Sequence, residues 1–209
     1  MKWKRIPLGS LKTNCYLYIK DKNCLIFDPG AESDKLIRII KEQELNPTAI
    51  LLTHGHFDHI EAVDDLRNVY GIPCYVHQGD SKCLYDPEHN LGNKWLSEPL
   101  VLKKADCIIE KEGPLAIGEF KLEVIHTPGH SRGSVCFYDQ ESHTLFSGDT
   151  LFYRAIGRTD LPTSNDSLIY DSILKKLFKL PDNTLVLPGH GPETTILDEK
   201  GKNPFLRNL

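Results

Sequence analysis

Apolar and polar residues along the chain change period several times, and each change marks an element. Residues 15–19 and 25–28 are short β-rich runs separated by the polar turn Lys20-Asp21-Lys22-Asn23, and Asp28-Pro29-Gly30 stops the second run. From 34 to 45, Leu36, Ile37 and Ile40 recur at helical spacing until Pro47 intervenes. Residues 49–53 form another apolar strand. Ala62, Val63, Leu66 and Tyr70 then share one face of a predicted helix over 58–70, which Gly71 closes. Between 81 and 106 no period holds. Strands are predicted at 120–125, 135–138 and 144–146. A helix follows at 167–179, with rows Ile169-Ile173-Leu177 and Tyr170-Leu174-Phe178, and a last strand at 184–187 runs into Pro188-Gly189. Strands mixed with helices, without a strict βαβ rhythm, predict an α/β (α+β) chain with sheets covered by helices in a single domain over 1–209.

Composition narrows the function classes. With 40% hydrophobic and 26% charged residues in a chain of 209, a core can form without covalent staples. The formal net charge is -4. A mildly acidic chain is a poor partner for phosphate backbones, so no nucleic acid is expected. No run approaches the roughly 18 apolar residues of a membrane span, so no membrane partner is expected either. Lys2, Lys4 and Arg5 are followed by Gly9, Ser10, Lys12, Thr13 and Asn14 instead of an apolar stretch. That predicts a cytoplasmic protein. The cysteines at 15, 24, 74, 83, 107 and 136 are scattered, with no C-x-x-C pair, and are expected to be reduced thiols packed as small hydrophobes. No repeat or patch fixes an oligomeric state.

The chemistry concentrates in Thr53-His54-Gly55-His56-Phe57-Asp58-His59, directly after an apolar strand. Histidines at i and i+2 of an extended chain project to the same side, so His54 and His56 can grip one ion. Asp58 and His59 open the following helix and address a neighbouring position. Imidazole with carboxylate suits zinc or iron, whereas magnesium and calcium prefer all-oxygen shells. Three further strand ends repeat the theme: Thr127-Pro128-Gly129-His130, Ser147-Gly148-Asp149-Thr150 and Pro188-Gly189-His190-Gly191. In each, an apolar run ends, a glycine bends the backbone, and one metal-competent side chain follows.

The H-x-H-x-D-H pattern, followed in order by His130, Asp149 and His190, resembles the metallo-β-lactamase fold superfamily. Thr127 to His130 with Gly133-Ser134-Val135, Ser147 to Phe152, and Ile156 to Pro162 are similar to its glyoxalase II branch, in the short bacterial form. The resemblance implies a four-layer αββα sandwich with two divalent metal ions at one edge of the sheets, zinc first, with iron or manganese as alternatives. His54, His56 and His130 would hold one ion, Asp58, His59 and His190 the other, and Asp149 would bridge them. Asp58 and Asp149 are then the catalytic carboxylates. A hydroxide held by the metals is the expected nucleophile on the carbonyl of an anionic thioester of the hydroxyacyl-glutathione type. A thiolate, with a pKa of about 8.5, leaves without a dedicated acid. Asp28 matches a position where the superfamily keeps an acid bonded to a metal histidine; a plain turn-forming Asp before Pro-Gly reads equally well. His77, His89, His126 and His143 match no ligand position and are expected to be structural.

Two departures matter. Only 19 residues follow His190, so the helical C-terminal extension that helps glyoxalase II bind glutathione is not expected. Arg158 stands where the longer family has a basic residue facing the glutathione carboxylate, but Asp160 replaces an aromatic contact. Arg132 is a second candidate for an anionic substrate, or a solvated surface charge. The main alternative is a persulfide dioxygenase, which uses one iron held by His54 or His56 with His130 and Asp149. A lactone or other ester hydrolase would need the same dinuclear chemistry.

Overall fold

The computed structural model describes residues 1–207. It divides into two compact units, Met1–Glu110 with Ile117–Phe120, and Lys111–Ala116 with Lys121–Leu209. In the first, β1 (Lys2–Leu8), β2 (Thr13–Lys20), β3 (Asn23–Phe27), β4 (Asn46–Leu51), β5 (Cys74–His77) and β6 (Cys107–Ile109) form one sheet in that order. The first three strands are antiparallel neighbours; β3, β4, β5 and β6 pair in parallel. Parallel neighbours need crossover connections, supplied here by α1 (Ser33–Glu42) and by α2 (Phe57–Ile60) with α3 (Val63–Tyr70). Leu36 and Ile40 of α1 and Val63 and Leu66 of α3 share one core with Leu17, Ile26, Ile50 and Val76 of the sheet.

Several elements differ from the pattern-based expectation, each for a local reason. The helix predicted over 58–70 is broken, because the Ala62 N–H donates to the Pro29 carbonyl at 3.0 Å and so leaves the helical ladder. Strand β4 starts at Asn46 and includes Pro47, tolerated where the β3–β4 ladder shifts register beside Cys24. Strand β1 was not predicted; it is an edge strand whose Lys2 and Lys4 face water while Ile6 and Leu8 are buried. The aperiodic middle contains a 3₁₀ helix, Gln78–Leu84, and the short α4 (Gly92–Trp95).

In the second unit, β7 (Gly113–Ile117), β8 (Phe120–His126), β9 (Val135–Asp139), β10 (Thr144–Gly148), β13 (Leu185–Pro188) and β14 (Thr194–Thr195) form a sheet ordered β14-β13-β10-β9-β8-β7. The strands β11 (Leu151–Phe152) and β12 (Ala155–Ile156) make a separate hairpin. Ile169 and Ile173 of α5 (Asp166–Lys175) pack with Leu177, Val186, Leu145 and Ile196 of α6 (Ile196–Lys202). The helix predicted to reach Lys179 ends at Lys175 and continues as a 3₁₀ turn at Leu177–Lys179. Among the described residues, no helix is long and apolar enough to cross a membrane.

Candidate metal centre

In the first unit the site grows from the carboxyl ends of β3 and β4. Asp28 follows β3 with φ of +48°, in the left-handed region that Asp tolerates better than most residues. Its carboxylate accepts from the Thr53 N–H at 2.8 Å and from Thr53 Oγ1 at 2.6 Å, and lies 3.1 Å from His59 Nδ1. Thr53 Oγ1 has its proton committed to Asp28, so at 3.2 Å it accepts from His54 Nδ1. One buried acid thus orders the His54 imidazole through a threonine hydroxyl and places its charge beside the ring of His59. The His54 ring therefore carries its proton on Nδ1, which leaves Nε2 as its metal-competent nitrogen.

The three rings cluster. His54 and His56 have centroids 4.7 Å apart, His54 and His59 4.1 Å apart, and all three residues are buried. Asp58 Oδ2 lies 3.6 Å from His59 Nε2 and accepts from Thr13 Oγ1 at 2.8 Å. Gly55, between the first two histidines, donates its N–H to Asp80 Oδ2 at 3.0 Å. A Cβ on Gly55 would sit 2.3 Å from the Cys83 Cβ, so the loop lies directly on the 3₁₀ helix that carries both Asp80 and Cys83. The Phe57 N–H donates to the Asn90 carbonyl at 2.9 Å, and the fully buried Asn90 is itself tied to the carbonyls of Cys83 and Leu100.

In the second unit, His130 Nε2 and His190 Nε2 each lie 3.5 Å from Asp149 Oδ2. His130 Nδ1 is 3.0 Å from the Arg158 carbonyl. A carbonyl only accepts, so Nδ1 holds the proton and Nε2 faces Asp149. Ser164 Oγ donates to the His130 carbonyl at 2.8 Å, and Gly157 fits against Asp149 so closely that a Cβ there would be 1.8 Å from the Asp149 carbonyl oxygen. Metal-competent side chains thus gather in each unit: His54, His56, Asp58 and His59 in the first, and His130, Asp149 and His190 in the second. The donors are imidazole and carboxylate, with nitrogen outnumbering oxygen, which suits zinc or iron and not calcium or magnesium.

The expected substrate cations sit differently. Arg158 is half exposed and forks onto Asp160, with Nε and Nη2 each donating at 2.7 Å. The Arg158 hydrogen bonds hold the Asp160 carboxyl down at about 2. Arg132 is exposed and borders a cleft of about 220 Å³ lined also by Gly129, Ser131, Pro162, Asn165 and Leu168. The remaining histidines serve local structure. His77 Nδ1 caps the 3₁₀ helix by accepting from the Gly79 N–H, His89 pairs with Asp86, His126 donates to the Arg132 carbonyl, and His143 bonds Tyr138. Asp80, Thr13 and Asn90 escaped the sequence reading. No spacing rule finds them, because they act on backbone groups or on the carboxylate of a candidate ligand.

Residues 8–190 match the family described as the metallo-beta-lactamase superfamily. The chain is 49% identical over 209 residues to the probable metallo-hydrolase YqgX of Bacillus subtilis, covering 100% of this chain and 99% of that protein. It is 36% identical over 205 residues to the hydroxyacylglutathione hydrolase GloC of Haemophilus influenzae, covering 97% of each. Among solved structures, the BLEG-1 B3 metallo-beta-lactamase matches with a TM-score of 0.97 and 46% identity, over 99% of this chain and 100% of that one. TTHA1623 in a di-iron-bound form matches with a TM-score of 0.84 and 39% identity, over 97% and 100%. ETHE1 from Myxococcus xanthus matches with a TM-score of 0.81 and 28% identity, over 98% and 84%. The mixed α/β architecture with two sheets is the fold of these neighbours.

Proposed function

The chain belongs to the metallo-β-lactamase superfamily as a metallo-hydrolase, and from that premise we propose that it cleaves a thioester of the hydroxyacyl-glutathione type. The observation that carries this reading is the likeness to GloC along nearly the whole of both chains. His54, His56 and His130 would hold one divalent ion and Asp58, His59 and His190 the other, with Asp149 common to both. Zinc is the first choice, with iron or manganese as alternatives. Bound there, the metals supply an activated water as nucleophile and Lewis acidity at the thioester carbonyl.

The chain's own residues do the rest. Asp28 and Thr53 hold His54 in the Nδ1–H tautomer, the Arg158 carbonyl does so for His130, and the Asp28 carboxylate lies 3.1 Å from His59 Nδ1. Thr13 occupies one oxygen of Asp58 with a hydrogen bond and so fixes the rotation of that carboxylate. A departing thiolate, with a pKa of about 8.5, needs no proton from the protein. Arg158 and Arg132 are the cations available to an anionic thiol moiety, and Arg158 reaches it only by giving up Asp160.

A second reading, persulfide oxidation at a single iron, is supported to a similar degree by the likeness to ETHE1. The deciding experiment loads the metal-stripped protein with zinc or iron and offers three substrates: S-lactoylglutathione, glutathione persulfide with an oxygen electrode, and a chromogenic β-lactam. Thiol release from the thioester, lost on chelation and restored by metal, supports the proposal. Oxygen uptake with the persulfide and no thioester turnover replaces it with the second reading. Turnover of the β-lactam alone overturns both.

A further inference from the structure

We propose that Glu199, on the C-terminal helix α6, is a positioning residue for the donors His130 and Asp149, acting through the β11–β12 hairpin. The proposal rests on the assignment of those two residues as metal ligands. The Glu199 side chain is fully buried. A carboxylate taken out of water is costly unless its lone pairs are filled, and here four donors fill them. Oε1 accepts from Arg154 Nη1 at 2.7 Å and Thr194 Oγ1 at 2.6 Å; Oε2 accepts from the Arg154 N–H at 3.0 Å and Asn203 Nδ2 at 2.8 Å.

Two of the four come from Arg154, the turn residue of the hairpin, which is held at φ of +58°. A left-handed arginine is unfavourable, and the two hydrogen bonds to Glu199 compensate it. Asn203, also buried, donates a second time to the Ala155 carbonyl at 3.1 Å. Helix α6 and the residue that caps it therefore grip the hairpin at two successive residues. The hairpin needs that grip, since a ladder of two residue pairs does not hold itself in water.

The other end of the hairpin reaches the donors. It starts two residues after Asp149, and its exit leads through Gly157 to Arg158. The Gly157 N–H donates to the Thr150 carbonyl at 3.2 Å, and a Cβ at 157 would lie 1.8 Å from the Asp149 carbonyl oxygen and 3.1 Å from the His130 Cβ. The Arg158 carbonyl then accepts a hydrogen bond from the His130 Nδ1–H. A hairpin released at Arg154 can shift, and any shift at 157–158 moves the acceptor that sets the His130 ring.

The test compares Glu199→Gln, Glu199→Ala and Arg154→Lys with Lys202→Ala, which removes only an exposed ion pair within the same helix. Three quantities are read in the full chain: zinc affinity of the metal-stripped protein by chelator competition, its thermal unfolding, and the ring ¹⁵N resonances of His130 in the metal-free state. The expected result is a displaced His130 Nδ1 resonance and zinc binding weakened by about tenfold or more, the scale seen when a ligand's hydrogen-bond partner is lost, with Lys202→Ala unchanged. Variants that unfold earlier yet keep the His130 resonance and the zinc affinity of the wild type would overturn the proposal and make Glu199 a structural anchor only. Where Glu199→Ala does not fold, Glu199→Gln and Arg154→Lys decide. A wild-type chain that takes up no zinc refutes the ligand assignment, whereas the metal-free His130 resonance still tests Glu199 alone.

Discussion

Replacing Gly55 by alanine isolates the contact that presses the His54–His56 loop onto its support. The new Cβ would stand 2.3 Å from the Cys83 Cβ, 2.9 Å from its Sγ and 3.2 Å from the Asp80 carbonyl oxygen. Carbon atoms rest at about 3.5 to 4.0 Å, so the loop must retreat by roughly an ångström. Rotating Cys83 moves Sγ but leaves its Cβ in place. Overpacking of this kind costs about 1–3 kcal/mol. The loop can relieve it in the metal-free protein by backing away, at the expense of the Gly55–Asp80 hydrogen bond, but a metal–nitrogen bond tolerates only about 0.2 Å of misplacement. The strain therefore returns on metal binding. At 1.4 kcal/mol per factor of ten, zinc affinity falls by roughly 5- to 150-fold. The assay is chelator competition on the metal-stripped protein, with unfolding followed in parallel. Cys83→Gly removes the two nearest atoms, so the double variant should bind zinc better than Gly55→Ala, with a coupling above about 0.5 kcal/mol. Wild-type affinity in Gly55→Ala, or simple additivity in the cycle, would refute the reasoning.

Asp28→Asn keeps a residue that tolerates the left-handed backbone but removes the charge behind His59; zinc affinity should drop about 10- to 100-fold with the fold intact, and an unchanged affinity would deny Asp28 that role. Asp160→Asn opens the fork on Arg158. KM for an anionic thioester should fall by roughly twofold to fivefold, the scale of an exposed ion pair, while a neutral thioester is unaffected; equal changes for both would remove Arg158 from substrate binding. The Asp160 carboxyl is depressed to about 2 by its bonds to Arg158, so the pair is fully formed above the unfolded carboxylate range and is lost only as pH falls through about 2. The effect of Asp160→Asn should accordingly be flat between about pH 5 and 8. Burial pushes the thiols of Cys24 and Cys74 up to about 12 and that of Cys136 to about 11, and Cys15 and Cys83 are buried as well. An aromatic disulfide reagent at neutral pH should titrate Cys107 alone in the folded protein; two or more fast thiols would contradict the packing.

The elements that the sequence made legible carry their own periodicity. Leu36 and Ile40 mark α1, Ile169 and Ile173 mark α5, and the apolar runs of β2, β3, β9 and β10 stand out between turn residues. The elements that were missed are held by tertiary partners instead. Strands β11 and β12 have two residues each and α6 has seven, too few for a pattern, and the bonds that tie them together join Arg154 to Glu199, 45 positions apart. The break between α2 and α3 depends on one carbonyl, that of Pro29, brought in from a distant turn. Periodicity cannot register such a bond.

The same division runs through the site. A metal donor is recognisable by residue type, so the seven candidates could be read from H-x-H-x-D-H and three strand-end motifs. The groups that aim those donors act mostly through the main chain: Asp80 on the Gly55 N–H, Asn90 on the Phe57 N–H, and Arg158 on His130 through its carbonyl rather than its guanidinium. Main-chain acceptors are present in every residue, so sequence gives no reason to select one over another. Arg158 shows the consequence. Its charge suggested an anion contact, yet the charge is engaged by Asp160 two residues along, while its backbone oxygen fixes the tautomer of a candidate ligand. A side-chain substitution at 158 therefore probes substrate selectivity, and leaves the carbonyl that orients His130 in place.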